Sequence, residues 1–545
     1  MTSPSAPSDA EPNPKRWAIL AVLVVSLLIV VLDNSVLNIA LPTIQRDLGP
    51  TQSQLLWAID AYVLVFAALL FTWGVLGDKY GRKRILLIGL TIFLIGSALC
   101  SVATDPAQLI GYRALMGIGG AAVTPVTLAI ITVVFPPRER GKAIGFWAAA
   151  VGGGVALGPV LGGLLLQNPR WFHWLIGNDW GSVFLINVPI VIIGMVGIVR
   201  LVPESRNPNH QRLDVRGLLL SISGLTLMVY GIIHAGDKGD WLAASVLLPI
   251  FGGAAILAFF VFAEVRSDHK SFDVTLFTNR PYAVSLTAVS LAFFALSGIT
   301  FTLPFFLQVV RGYSTLTAGL FFLSFAVGQL IAAPRSAKMV ARFGVRRVIT
   351  VGLSLVLVAL LFLTRLSMTT PVWLILAIFF TFGFGMGNTI APASTVMQNS
   401  LPLARAGAGS AVQNTVRQVF GAFGVAIIGT LLTNHYAHGF RQTVNALPAQ
   451  VPQAARDFML QSVAKAQVVL DQAVSRGMPV TVAGPTRQAS YESFVNASHL
   501  TTWVSAGVIL VAVVVVAALL PTEVHHSHRS AVISAQESAA PVDEN

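Results

Sequence analysis

Along the chain, apolar runs of 18 or more residues alternate with short polar segments from one end to the other. A helix rising about 1.5 Å per residue crosses a hydrocarbon layer of roughly 30 Å in a run of this length, whereas outer-membrane strands show only short alternating segments. The pattern predicts fourteen membrane-spanning helices near 17–41, 54–73, 84–104, 107–134, 143–167, 180–200, 215–235, 243–263, 282–309, 315–334, 347–366, 372–396, 406–433 and 498–520. An even count puts both termini on one side. The opening 16 residues are polar and rich in Pro and Ser. The first span is longer than a signal-peptide core and has no A-x-A exit, so it reads as a retained helix. Between the last two spans, 434–497 forms the one sizeable segment outside the membrane. Within it, 452–475 keep apolar positions near helical spacing, which predicts either a short amphipathic helix at the outer membrane surface or a partly ordered connector.

Composition narrows the class. Hydrophobic residues make up 55% of the chain and charged residues only 11%, against about 25% charged in a soluble domain. A soluble enzyme, a disordered chain and a coiled coil are excluded, and an all-α polytopic membrane protein remains. The lone cysteine, Cys100, lies in an apolar run and permits no internal disulfide. Of the 35 basic residues, 23 fall on the side of the termini and of the loops after even-numbered spans, 10 on the other side, and two, Arg113 and Arg417, within spans. Five of the 10 sit in the long loop, and long loops translocate largely regardless of charge. The contrast among short loops is therefore 23 to 5, which predicts cytoplasmic termini in a cell's inner (cytoplasmic) membrane. The +12 net charge expresses this asymmetry, and nucleic-acid binding is not needed to account for it.

Two stretches repeat. Leu41-Pro42 ends span 1 and Leu303-Pro304 lies in span 9; Gly74-Val-Leu-Gly-Asp78-Lys-Tyr-Gly81-Arg82-Lys83-Arg84 follows span 2, and Ala337-Lys-Met-Val-Ala341-Arg-Phe-Gly344-Val-Arg346-Arg347 follows span 10. The repeat predicts a cytoplasmic tail (1–16), a first six-helix bundle (17–205), an inserted pair (206–265), a second bundle (266–433 and 498–520) interrupted by the outer loop 434–497, and a cytoplasmic tail (521–545). In this plan a solute site lies between the bundles near mid-membrane.

Four motifs carry a family resemblance. They are Leu32-Asp33-Asn34-Ser35-Val36-Leu37-Asn38-Ile39-Ala40-Leu41-Pro42 in helix 1, the Gly74/Asp78/Gly81/Arg82 loop, Arg113-Ala-Leu-Met-Gly117-Ile-Gly119-Gly120-Ala121 in helix 4, and Gly154-Val-Ala-Leu-Gly158-Pro159-Val-Leu-Gly162-Gly163 in helix 5. Over essentially all of 17–520 the chain resembles the fourteen-helix drug:proton antiporters of the major facilitator superfamily. The resemblance implies two bundles that expose one cavity to alternate sides, a transporter and no enzyme, driven by the proton motive force without cofactor or metal. Expected partners are lipophilic small molecules, protons and the bilayer, with the chain acting as a monomer and no nucleic acid involved. Trp57-Ala-Ile-Asp60-Ala-Tyr62 in helix 2 is similar to the branch that exports lipophilic cations. A single endogenous metabolite, antibiotic or lipid is the alternative cargo.

Asp33 and Asp60 are the only acids within the spans away from their ends. An ionised group in hydrocarbon is costly and should face an aqueous cavity and serve function. At about 1.5 Å per residue, Asp33, Asp60 and Arg113 lie at one depth, roughly 9–13 Å below the outer boundary. Asp33 is the expected principal proton site, or else a structural carboxylate paired with Arg113; Asp60 is a negative charge that attracts cationic substrate, or a hydrated acid near the surface; and Arg113 is a partner that favours proton release or neutralises an acid permanently. Trp57, three residues from Asp60, offers a cation–π face, and Asn34 and Asn38 extend the polar side of helix 1. Gly74, Asp78, Gly81 and Arg82 read as a cytoplasmic clamp in which Asp78 pairs with a basic residue or a helix N-terminus. Gly154, Gly158, Pro159, Gly162 and Gly163 permit close helix contact and a kink. In helix 13, Gln413, Asn414, Arg417 and Gln418 share one face that must point inward. Some cation-exporting relatives carry acids in this half; their lack here leaves room for neutral or zwitterionic substrates. Phe293, Phe294, Phe301, Phe305 and Phe306 in helix 9 form either an apolar wall or ordinary packing. The glycines around Gly117 imitate a dinucleotide loop, but no strand precedes them.

Overall fold

The computed structural model describes residues 14–206, 214–266, 274–401, 406–448 and 451–521. Of the expected tails, 1–13 and 522–545 lie outside the described residues. The chain forms α1 (Arg16–Asp47), α2 (Gln52–Tyr80), α3 (Arg82–Ser101), α4 (Pro106–Val134), α5 (Pro137–Gln167), a short α6 (Arg170–Ile176) and α7 (Ser182–Leu185), then α8 (Asn187–Leu201), α9 (Val215–Lys238) and α10 (Ala244–Arg266). A 3₁₀ turn leads to α11 (Arg280–Phe305), which runs into a π-turn (Phe306–Val310), and α12 (Thr315–Phe343), α13 (Val345–Leu363), α14 (Val372–Asn399) and α15 (Ala406–Asn445) follow. The last elements are α16 (Gln453–Met459), α17 (Val463–Ser475) and α18 (Val480–Leu519). Among the described residues there is no strand. Among the described residues, thirteen segments are long and apolar enough to cross a membrane; the remaining expected span, 143–167, falls within α5.

Local chemistry sets the ends of the helices. Thr51 and Gln54 form a reciprocal capping box at α2. Asp105, Asn279 and Ser314 each accept a backbone N–H at the starts of α4, α11 and α12. Gly81 (φ +113°) and Gly344 (φ +82°) turn α2 into α3 and α12 into α13, the same positive-φ device in both repeats, where a Cβ would be strained.

Helices α1–α5 pack with α8, and α11–α15 with α18. The pair α9–α10 leans on both groups, with the Thr430 hydroxyl donating to the Ile232 carbonyl and the Asn434 amide to Ala235. The halves are bonded mainly far from the Gly81 turn, where Gln308 Nε2 donates to the Ile39 carbonyl (2.8 Å), Thr315 Oγ1 to Gly163 (2.9 Å) and Lys465 Nζ to Gly49 (3.3 Å), and at mid-span by Thr415 Oγ1 donating to the Ala67 carbonyl (3.4 Å). Toward the Gly81 face the ion pairs Arg16–Glu139 and Arg82–Asp78 each stay within the first half.

The segment 434–497 departs from the expected loop. Helix α15 continues without a break to Asn445, α18 already begins at Val480, and the predicted amphipathic helix is present as α16 and α17. It packs on protein: Val463, Ala464, Ala466 and Leu470 are buried, and α17 touches α1 and α18. Lys465 is buried with them, its ammonium donating to the Gln461 amide oxygen and the Gly49 carbonyl and lying over the Phe458 ring. Burial lowers its pKa from the ordinary 10.5 to about 8.

Candidate substrate cavity and buried charges

A cavity of about 510 Å³ lies between the halves. Its first-half wall comes from α1 (Leu27, Val31, Asn34, Asn38), α2 (Ile59, Val63, Phe66, Leu70), α4 (Thr124, Leu128) and α5 (Ile144, Trp147, Pro159). The second half contributes Phe293, Ser297 and Thr300 from α11, Phe322, Phe325, Phe379 and Phe382 from α12 and α14, and Gln413, Asn414, Arg417 and Gln418 from α15. Leu27, Leu128, Ile144 and Gln398 belong to the helix halves nearest the Gly81 turn, so the cavity reaches toward that face while the opposite end is bonded shut. Of the expected substrate residues, Asn34, Asn38, Gln413 and Arg417 line the wall; Trp57, Tyr62, Phe301 and Phe305 do not.

The acids do not face this cavity. Asp33 is 2% exposed and Arg113 is fully buried. Arg113 Nη1 donates to Asp33 Oδ2 at 2.5 Å, and its Nε donates to the Ala58 carbonyl at 3.1 Å. The guanidinium lies 4.3 Å from the centre of the Tyr62 ring. Asn187 Nδ2 donates to Asp33 Oδ1 and to Ser97 Oγ, both at 3.0 Å, and the Ser97 hydroxyl donates to the Phe184 carbonyl. The placement follows from helical spacing: Asn34, one residue on, turns into the cavity while Asp33 turns between α4 and α8. Within a packed bundle a matched cation and amide donors replace the water that the sequence reading assigned to this carboxylate.

Asp60 is fully buried, and neither carboxylate oxygen has a hydrogen-bond partner among the described residues. It does not line the cavity, although Ile59 and Val63 on either side of it along α2 do. The cavity face of α2 is instead Ile59, Val63, Phe66 and Leu70. The expected aqueous setting of Asp60, and with it a cation cage shared with Trp57, is absent from the cavity wall.

The conformational motifs sit at helix contacts. Asp78 pairs with Arg82 at 2.8 Å, and Glu204 caps α3 by accepting the backbone N–H groups of Lys83 and Arg84. A Cβ on Gly81 would come within 2.7 Å of the Glu204 carboxylate, whereas Gly74 has ordinary room. Gly154, Gly158 and Gly162 hold α5 against Val31, Ser35 and Ile39 of α1. A Cβ on Gly158 would overlap the Ser35 hydroxyl, and one on Gly163 would press on the Thr315 carbonyl across the halves. Pro159 also lines the cavity.

Sequence reasoning missed Asn187 and Ser97, the second half of the Asp33 shell, and Trp147, Ser394 and Gln398 on the cavity wall. The signal for Asn187 was a lone amide in the apolar run Phe184-Leu-Ile-Asn187-Val-Pro189.

The sequence profile of the Major Facilitator Superfamily matches residues 23–425. The multidrug efflux pump LfrA of Mycolicibacterium smegmatis is 36% identical over 450 residues, covering 82% of this chain and 87% of that one. The methyl viologen resistance protein SmvA of Salmonella typhimurium is 31% identical over 501 residues, covering 91% of this chain and 96% of its own length. A bacterial homologue of the human lysosomal transporter Spinster shares the fold, with a TM-score of 0.61 at 16% identity over 92% of this chain and 98% of that one. Thirteen apolar spans, a cavity between two helical halves and relatives of this kind over most of the length lead to one conclusion: the chain belongs to the major facilitator superfamily, in its drug-efflux branch.

Proposed function

We propose that this transporter exports lipophilic drugs from the cytoplasm in exchange for protons, by alternating access of the cavity between its halves. One observation carries this reading: α1 presents Asn34 to the cavity and, one residue away, Asp33 to the buried Arg113. A proton taken by Asp33 weakens its hold on Arg113, and the change is felt at once by a helix that forms part of the substrate wall. Asp60, with no donor at either oxygen among the described residues, is a second proton site. An ionised carboxylate without partners is much costlier than a neutral one in this setting. Two acids permit two protons per cargo molecule, in which case the membrane potential, worth about 2.3 kcal/mol per charge at 100 mV, assists export of a monovalent cation.

The Gly81 face is the cytoplasmic one, on the distribution of basic residues in short loops, so the cavity stands open to the cytoplasm in an inner-membrane protein with both termini inside. The cavity is complete within one chain, which supports a working monomer. The test is drug-driven proton movement in proteoliposomes, followed by an internal pH dye. The native protein should couple drug export to proton entry, Asp33→Asn should lose coupling, and Asp60→Asn should alter the proton count. Undiminished proton-coupled export in Asp33→Asn would sink the assignment.

A further inference from the structure

Among the described residues that line the cavity, Arg417 is the only charged one. Its Nε is buried without an acceptor, and its guanidinium stacks 4.8 Å from the centre of the Phe293 ring. Neighbouring polar groups leave it uncompensated: Gln413 Nε2 donates to Ser394 Oγ and Asn414 Nδ2 to the Ser410 carbonyl. Asp33 is already matched by Arg113, and Asp60 does not line the cavity. A guanidinium inside a membrane bundle with no counter-ion of its own is costly. It offers a planar set of donors matched to an anionic oxygen pair.

We infer that Arg417 is a binding site for the anionic headgroup of an amphiphilic substrate, a carboxylate, sulfonate or phosphate on a lipophilic body. The inference rests on the cavity being the substrate site and names its cargo class. Phe293, Phe322, Phe325, Phe379 and Phe382 supply the apolar and aromatic surface for the body. The headgroup belongs either to a lipophilic acid or to an anionic lipid, which share this chemistry.

Three probes with one body separate the possibilities: pyrenebutyrate, pyrenebutanol and pyrenebutylamine, titrated into the purified full-length protein in detergent. Native protein should bind the acid about tenfold or more tightly than the alcohol, the scale of a charge-assisted hydrogen bond. Arg417→Gln should erase that preference while still binding the alcohol, which also shows that the variant is folded. Arg417→Lys should keep part of it. Gln413→Glu places a carboxylate one turn from Arg417 and should abolish the preference with the guanidinium still present. Displacement of pyrenebutyrate by phosphatidylglycerol and not by phosphatidylcholine, lost in Arg417→Gln, supports the site and identifies a lipid as its occupant; no displacement supports it with a free acid as occupant. Equal binding of acid and alcohol by native protein, tightest binding of the amine, or an unchanged preference in Arg417→Gln overturns the anion site alone. Failure of all three probes to bind native protein overturns the cavity reading with it.

Discussion

Arg113 reaches from α4 to the Asp33 carboxylate, the Ala58 carbonyl and the face of Tyr62, tying three helices at one point. Removing one member of such a buried pair strands the other charge, at a cost of about 3–5 kcal/mol. Asp33→Asn should therefore lower the melting temperature of the purified protein markedly, and Asp33→Asn with Arg113→Gln should be less destabilised than the sum of the single changes. Asp60→Asn removes no partner and should change stability by less than about 1 kcal/mol. A large loss in Asp60→Asn would reveal a partner for this carboxylate in the folded protein. Asp33, Asp60 and Arg113 stood out in the sequence because ionisable residues are rare in apolar spans. Pairing of Asp33 with Arg113 was only one of the alternatives the sequence left open, because a shift of one residue turns a side chain by about 100° around the helix axis.

At the scale of elements, α17 shows what periodicity conveys and what it omits. Its apolar spacing predicted a helix, yet Lys465 within the apolar face reads as a break until Gly49, Gln461 and Phe458 are seen around it. The burial of this ammonium has a measurable consequence. Below pH 8 the lysine is protonated both folded and unfolded; between about 8 and the ordinary 10.5 the folded protein has lost the proton and the unfolded chain still holds it. The contribution of Lys465 to stability therefore rises with pH across that window. Melting followed from pH 7.5 to 10 should show this rise in native protein and lack it in Lys465→Met, and an identical profile in both would place the lysine in water. Asn187 is a second case: its amide reaches Asp33 of α1 and Ser97 of α3, and a lone polar residue in an apolar run does not name the helices it will bond.

At the scale of the molecule, the halves are bonded at one end and the cavity extends toward the other, the Gly81 face. Cys100 is fully buried and gives a silent background for thiol labelling. Gln398→Cys, exposed on the cavity wall near that face, should react with a membrane-impermeant maleimide in inside-out vesicles and stay unreacted in intact cells. Labelling from outside intact cells would reverse the orientation. The sequence by itself determined the solvent, the helical class and the family, because hydropathy over 18 or more residues, scarce charge and glycine-then-basic turns are local properties of a chain in lipid. The tertiary structure alone decided that Asp33 is sealed against Arg113, that Asp60 stays off the cavity wall, that α17 caps the bundle, and that Arg417 is the charge the cavity presents among the described residues. Those outcomes depend on how helices rotate and lean against partners distant in sequence, and packing across a bundle fixes that rotation where hydropathy along a single span cannot.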